Sequence, residues 1–343
     1  MASDQYQSLS VASDAQLRDA LERSLFNYYN APLKIVQLER DISEYSSSFT
    51  IEELKVKLEN GLVLSLMFKD LSSRALLDEA RRTKPDFLFD PKREIEVYQS
   101  ILSQSEVGCA SYYGSVVNER DEQFWLFLEK VPGIELYQVG EFDVWLEVAK
   151  WLANFHKSYK GRIESLATEI PLLRYDRDFH QIWPDRVRSV LQARQAATAS
   201  QIDILVRGYR RVIEQLLQLP PTLLHGDFYP SNVMVQSKKR GLRICAVDWE
   251  MAGAGPGIID LAALVSGGWT ERQEADLILT YMNTISPEPG SSSEREKFIE
   301  DVACGQLHLA MQWLGWSASW SPPEDHKQNW LQIALGIIER FGW

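Results

Sequence analysis

Between Thr222 and Leu264 three short apolar runs each carry a polar residue at one end. TLL leads into His225-Gly226-Asp227, VMV follows Asn232, and LRICAV ends at Asp248. Each run has the length of a buried strand, so Asp227, Asn232 and Asp248 are predicted to converge on one spot. Two carboxylates and a carboxamide oxygen are hard ligands, suited to a Mg²⁺ ion that holds a substrate's phosphates. One carboxylate is more than a single ion needs, which leaves the other to accept a proton from an attacking hydroxyl. That combination points to phosphoryl transfer.

The wider pattern is HGD followed by Asn232, then Val247-Asp248-Trp249-Glu250, then Asp260-Leu261-Ala262. It resembles the aminoglycoside phosphotransferase and choline kinase superfamily, small-molecule kinases with a protein-kinase-like fold. HGD alone recurs by chance, but four elements in order at these gaps do not. The resemblance implies an α+β fold in two lobes, with an antiparallel β-sheet N-lobe over 1–130 and a mainly helical C-lobe over 131–343. It also implies ATP and Mg²⁺ as cofactors and a hydroxyl of a small molecule as acceptor, aminoglycoside-like or an amino alcohol. A sugar, a hydroxy amino acid or a macrolide is the alternative acceptor. A nucleotide-binding pseudoenzyme or scaffold is the rival from another class.

Carried onto this sequence, the resemblance makes Asp227 the catalytic carboxylate and Asn232 and Asp248 the Mg²⁺ ligands. Asp260 becomes a structural support of the catalytic loop. The strand LVLSLMFKD carries Lys69 next to its last residue, and by period-two alternation Lys69 shares a face with Val63, Ser65 and Met67. Its position matches the family's phosphate-binding lysine. Its partner is expected to be Glu94, in Arg93-Glu94-Ile95-Glu96-Val97-Tyr98, with Glu96 as the fallback. Ser46, Ser47 and Ser48 occupy the position of the nucleotide loop and contain no glycine. Glu129 and Val131, in Glu129-Lys-Val-Pro-Gly133, are expected to offer backbone groups to the adenine. The stretch from Lys69 to Glu94 is longer than the family leads one to expect, and it is predicted to add a helix and a loop. Gly226 stands where protein kinases carry the arginine of HRD, so control by activation-loop phosphorylation is not expected.

Elsewhere the sequence predicts a helix from Ser13, capped with Gln16 and striped by Leu17, Leu21, Leu25 and Tyr28. Strands are predicted over about 33–41, 48–58 and 62–70, the last two joined at Asn60-Gly61. Val116–Asn118 and Gln123–Glu129 are predicted to complete the sheet. Residues 141–159 make an amphipathic helix in which His156 reads as a core histidine. Helices follow over about 178–196 and 200–218, and Ser286–Arg295 reads as a loop. Six tryptophans lie beyond Asp260 (Trp269, Trp313, Trp316, Trp320, Trp330 and Trp343), mostly as packing residues of a helical lobe.

Composition excludes some classes. The formal net charge of −12, from 36 basic and 48 acidic residues, argues against nucleic-acid binding, which needs a basic footprint. No apolar run approaches the ~20 residues of a membrane span. The first residues have neither a basic region nor an apolar core, so no signal peptide is expected. The three cysteines, Cys109, Cys245 and Cys304, lack metal-ligand spacing and read as reduced thiols. The expectation is a cytoplasmic monomer or homodimer that associates with neither membrane nor nucleic acid.

Overall fold

The structure is a computed structural model that describes residues 12–44, 48–105, 107–239, 241–286, 290–319 and 328–343. The chain forms two compact units. One comprises the residues up to Arg82 together with Phe89–Pro132, and the other comprises Thr83–Leu88 with Gly133–Trp343.

In the N-terminal unit, Ser13 caps α1 (Asp14–Tyr29). The Ser13 side chain accepts from the Gln16 N–H while Gln16 reaches back, which is the reciprocal box the sequence predicts. Leu17, Ala20, Leu21 and Leu25 are buried. Tyr28, expected on the same stripe, is instead 48% exposed and leans on Tyr113, with ring centroids 4.7 Å apart.

Strands β1 (Ile35–Ile42), β2 (Ile51–Leu58), β3 (Val63–Asp70), β4 (Tyr112–Asn118) and β5 (Gln123–Glu129) form an antiparallel sheet in the order β1-β2-β3-β5-β4. Between β2 and β3, Gly61 takes φ +87° and donates its N–H to the Leu58 carbonyl at 2.9 Å. A left-handed glycine closing a short turn in this way keeps the hairpin in register. The sheet face carrying Leu54, Val56, Leu66, Phe68 and Phe127 packs with α1 around one apolar core. The stretch after β3 holds a short helix, α2 (Asp78–Thr83), and then α3 (Arg93–Glu96). A π-helical turn over Val97–Ile101 and a 3₁₀ turn over Leu102–Gln104 continue α3.

The C-terminal unit is mainly helical. In order it contains β6 (Ile134–Glu135), α4 (Phe142–Tyr159), α5 (Ile163–Glu169), β7 (Leu173–Arg174), α6 (Arg177–Arg194), α7 (Ala199–Leu216) and β8 (Pro221–Leu224). There follow β9 (Val233–Ser237), β10 (Leu242–Ala246), β11 (Gly253–Pro256), α8 (Ile258–Leu264), α9 (Glu271–Ile285), α10 (Ser292–Gly315) and α11 (Trp330–Phe341). The expected loop over Ser286–Arg295 is shorter than predicted. Ser291 caps α10 in a second reciprocal box with Glu294, and the helix begins at Ser292. Two small sheets, β10-β9-β6 and β7-β11-β8, hold the three apolar runs around Asp227. No helix among the described residues is long and apolar enough to cross a membrane.

Candidate active site

The antiparallel pair β9 and β10 decides where two of the polar residues go. Its register sets Ala246 opposite Val233, and the Val247 N–H donates to the Asn232 carbonyl at 2.9 Å. Asn232, just before β9, and Asp248, just after β10, therefore lie at the same end of one hairpin. Asp227 arrives from β8 through a tight loop. The Tyr229 N–H donates to the Asp227 carbonyl and the Asn232 N–H to the Tyr229 carbonyl, both at 2.8 Å. The Asn232 Nδ2 then donates to the Asp227 carbonyl at 2.9 Å and to Asp227 Oδ2 at 2.8 Å. Both of its N–H groups thus face Asp227, and its Oδ1 is left as an acceptor without a hydrogen bond among the described residues.

Asp248 has φ +67° and ψ +66°, a left-handed conformation that a residue with a side chain seldom adopts. Non-glycine residues held this way cost free energy and collect at functional sites. Burial pushes the Asp227 carboxyl up to about 7, and the charges of Asp248, Glu250 and Asp260 push the same way against the Asn232 hydrogen bond. A carboxylate that titrates near neutrality is matched to accepting a proton at working pH.

Asp260 supports the loop from beneath. Fully buried at the start of α8, it accepts the His225 N–H at 2.7 Å and the Gly226 N–H at 2.9 Å. Its third neighbour is His156 Nε2 at 3.1 Å, and the other ring nitrogen of His156 meets the Tyr281 hydroxyl at 2.7 Å. His156 is accordingly a core histidine fixed at both nitrogens. His225 is fixed likewise, with Nε2 on the Val247 carbonyl at 2.8 Å and Nδ1 accepting the Asp227 N–H at 3.3 Å. Gly226 has φ +80°, and a Cβ there would lie 2.1 Å from the Met251 carbonyl oxygen. Only glycine fits this close approach at a left-handed φ.

The N-terminal unit holds a buried ion pair. Lys69 is 7% and Glu94 1% exposed, and Lys69 Nζ lies 2.8 and 3.0 Å from the two Glu94 oxygens. Glu96 instead takes a hydrogen bond from Ser100 at 3.4 Å. The Glu129 N–H is used within the sheet, donating to the Ser111 carbonyl at 2.9 Å, and its carboxylate caps the Ser111 N–H at 3.0 Å. That occupies the Glu129 N–H, one of the groups expected to meet the adenine. Val131 is buried, and its N–H and C=O make no hydrogen bond among the described residues. The Ser48 carbonyl accepts from the Leu77 N–H at 3.1 Å, while Ser46 and Ser47 lie outside the described residues.

Two partners at the site were not legible in the sequence. The Trp313 indole N–H of α10 donates to the Tyr229 hydroxyl at 2.5 Å, and the Trp313 ring lies parallel to that of Trp330 at 5.5 Å. Lys84 pairs with Glu250 at 2.5 Å. Neither residue carries a local pattern that marks it, because each pair joins positions far apart in the chain.

The model of the phosphotransferase enzyme family matches residues 79–295, more than half of the chain. The chain belongs to that family. This is the aminoglycoside phosphotransferase and choline kinase group that its motifs resemble, and membership places the chain among small-molecule phosphotransferases. Solved structures share the fold at low identity. The wild-type aminoglycoside 2'-phosphotransferase-IIIa, as its GDP complex, is 13% identical with a TM-score of 0.58 over 95% of this chain and 98% of that one. A microcompartment-associated aminopropanol kinase is 14% identical with a TM-score of 0.58 over 89% and 92%. The ethanolamine kinase of Plasmodium vivax is 13% identical with a TM-score of 0.56 over 96% and 88%. No curated protein matches the chain in sequence.

Proposed function

We propose that the chain is an ATP- and Mg²⁺-dependent kinase that moves the γ-phosphoryl group to a hydroxyl of a small molecule, an aminoglycoside-like compound or an amino alcohol. The observation that carries the reading is the Asp227–Asn232 pair beside a strained Asp248. Asp227, held by the Asn232 amide and titrating near neutrality, orients the acceptor hydroxyl and takes its proton. Positioning contributes as much as basicity, because the transition state of phosphoryl transfer is loose.

The donor set suits Mg²⁺. Among the described residues no three His, Cys, Asp or Glu side chains group as a metal site, so a cation here depends on an amide oxygen beside the carboxylates. Asn232 keeps its Oδ1 for that purpose by spending both N–H groups on Asp227. Asn232 and Asp248 would hold the ion, which when bound supplies charge neutralisation across the nucleotide phosphates. Lys69, held by Glu94, covers the α- and β-phosphates, and the Val131 backbone serves the adenine. The negative net charge favours a cationic acceptor.

The test is ADP release from Mg-ATP with a panel of aminoglycosides, amino alcohols, hydroxy amino acids, sugars and macrolides. One class should stimulate release. Asp227→Asn should lower that turnover by ~10²–10⁴-fold while nucleotide binding stays nearly intact. Silence across the panel, together with no stabilisation by Mg-ATP in thermal unfolding, would overturn the reading.

A further inference from the structure

The stretch that is longer than the family leads one to expect contains a segment that belongs to the C-terminal unit. The chain leaves the N-terminal unit after Arg82 and rejoins it at Phe89, and Thr83–Leu88 packs with the C-terminal residues. Phe87 stands edge-on to Trp183 at 5.7 Å and 66° and to Phe179 at 6.2 Å and 76°. The Arg186 guanidinium lies 5.9 Å from the Phe87 ring centre. The Leu88 N–H donates to the Pro85 carbonyl at 2.9 Å, closing the turn Asp86–Leu88. With the segment anchored in this way, Lys84 Nζ sits 2.5 Å from Glu250 Oε2, the two side chains 6% and 20% exposed.

An ion pair this enclosed is a weak stabiliser, since the cost of desolvating both charges offsets most of their attraction. Its location suggests another use. Glu250 lies two residues beyond Asp248, within the turn Trp249–Met251, and its charge acts on Asp227. A carboxylate there is the kind of oxygen ligand a hard cation takes, and adding one changes both affinity and stoichiometry. Lys84 already engages it.

We propose that Lys84 is a positioning residue of the phosphoryl-transfer centre, holding the Glu250 carboxylate so that metal ligation falls to Asn232 and Asp248. The inference rests on the phosphotransferase reading above. The experiment is Mn²⁺ binding to the full chain in the presence of ADP, followed by electron paramagnetic resonance. The variants are Asp248→Asn, Lys84→Met, Glu250→Gln and the double variant Lys84→Met/Glu250→Gln.

Wild type should bind Mn²⁺ and Asp248→Asn should lose it. Glu250→Gln and the double variant should match wild type to within about twofold, because Glu250 is not a ligand. Lys84→Met removes the ammonium that engages the carboxylate and should bind Mn²⁺ about tenfold more tightly or take up a second ion. Unchanged binding in a folded Lys84→Met overturns the proposal, as does a loss of about tenfold or more in Glu250→Gln or the double variant. If Lys84→Met fails to fold by circular dichroism, the double variant, which carries neither charge, decides alone. A wild-type chain that binds no Mn²⁺, indistinguishable from Asp248→Asn, overturns the phosphotransferase reading itself, and this inference with it.

Discussion

Asp260→Asn removes one charge and almost no volume from beneath the His225–Asp227 loop, so its effect isolates what the carboxylate contributes. In the native chain the buried carboxylate accepts from the His225 N–H at 2.7 Å and the Gly226 N–H at 2.9 Å, and it meets His156 Nε2 at 3.1 Å. An amide has one accepting oxygen. Its least costly orientation keeps the oxygen toward His225 and His156 and turns the NH₂ toward Gly226, donor against donor. Stranding one buried N–H costs about 1–3 kcal/mol, and the remaining bonds lose their charge assistance, which roughly halves them. The sum is about 3–5 kcal/mol, a large share of the ~5–15 kcal/mol that holds a typical domain. Urea unfolding followed by tryptophan fluorescence should show that loss, and amide hydrogen exchange at His225 and Gly226 should accelerate with it. A variant within about 1 kcal/mol of wild type, its two amides still protected, would refute the view that Asp260 holds the loop.

The other expectations concern the metal, the loop and the interior. Asp248→Asn should fold, because Asn tolerates the left-handed conformation at φ +67°, yet Mg²⁺-dependent ADP affinity by calorimetry should fall by about tenfold or more. Unchanged affinity would break the metal assignment. Gly226→Ala should lower thermal stability by about 2 kcal/mol or more, since its Cβ meets the Met251 carbonyl at 2.1 Å at a positive φ; a wild-type melting temperature would contradict the loop geometry. Acid should destabilise the chain through His180, whose pKa burial pushes down to about 4. The unfolded chain takes the proton first, near pH ~6.5, so the stability is full above that pH. As pH falls toward 4, about 3 kcal/mol is lost. His308, lowered by burial and by His180, adds in the same direction. Melting temperature against pH in wild type and His180→Gln should show the smaller acid loss in the variant, and equal slopes would refute it.

What could be read from the sequence follows from how locally each feature is specified. Asp227, Asn232 and Asp248 sit at the ends of short strands joined by short connections, so apolar runs with polar ends were enough to bring them together. The Ser13–Gln16 box and the Gly61 turn are local in the same sense, each closed within a few residues. The Ser291–Glu294 box carried the same signal and was hidden by the run of serines and prolines before it. Strands β7 and β11 had no signal. Gly253-Ala254-Gly255-Pro256 has no alternation to read; it is a strand through its pairing with β7 and β8, and Tyr175 lies against its glycines, where a Cβ would come within 2.5 and 2.6 Å of that side chain. Tyr28 kept the helical spacing but fell beyond the reach of the core, at the last turn of α1.

Two contacts at this site are long-range, and for that reason they escape a motif. HGD, DWE and DLA are the motifs that carry the resemblance, and Asp260 joins the first motif to the last through the His225 and Gly226 amides. Lys84 reaches Glu250 across 166 positions, and Trp313 reaches Tyr229 across 84. In sequence Lys84 is one lysine in a polar stretch and Trp313 one aromatic on a long helix, each indistinguishable from a surface or packing residue. The fold gives them meaning by bringing each to a residue within two positions of Asp248 or Asp227. What lies at the strand ends is therefore legible from local pattern, while the contacts that Lys84 and α10 make with the neighbouring residues appear only in the fold.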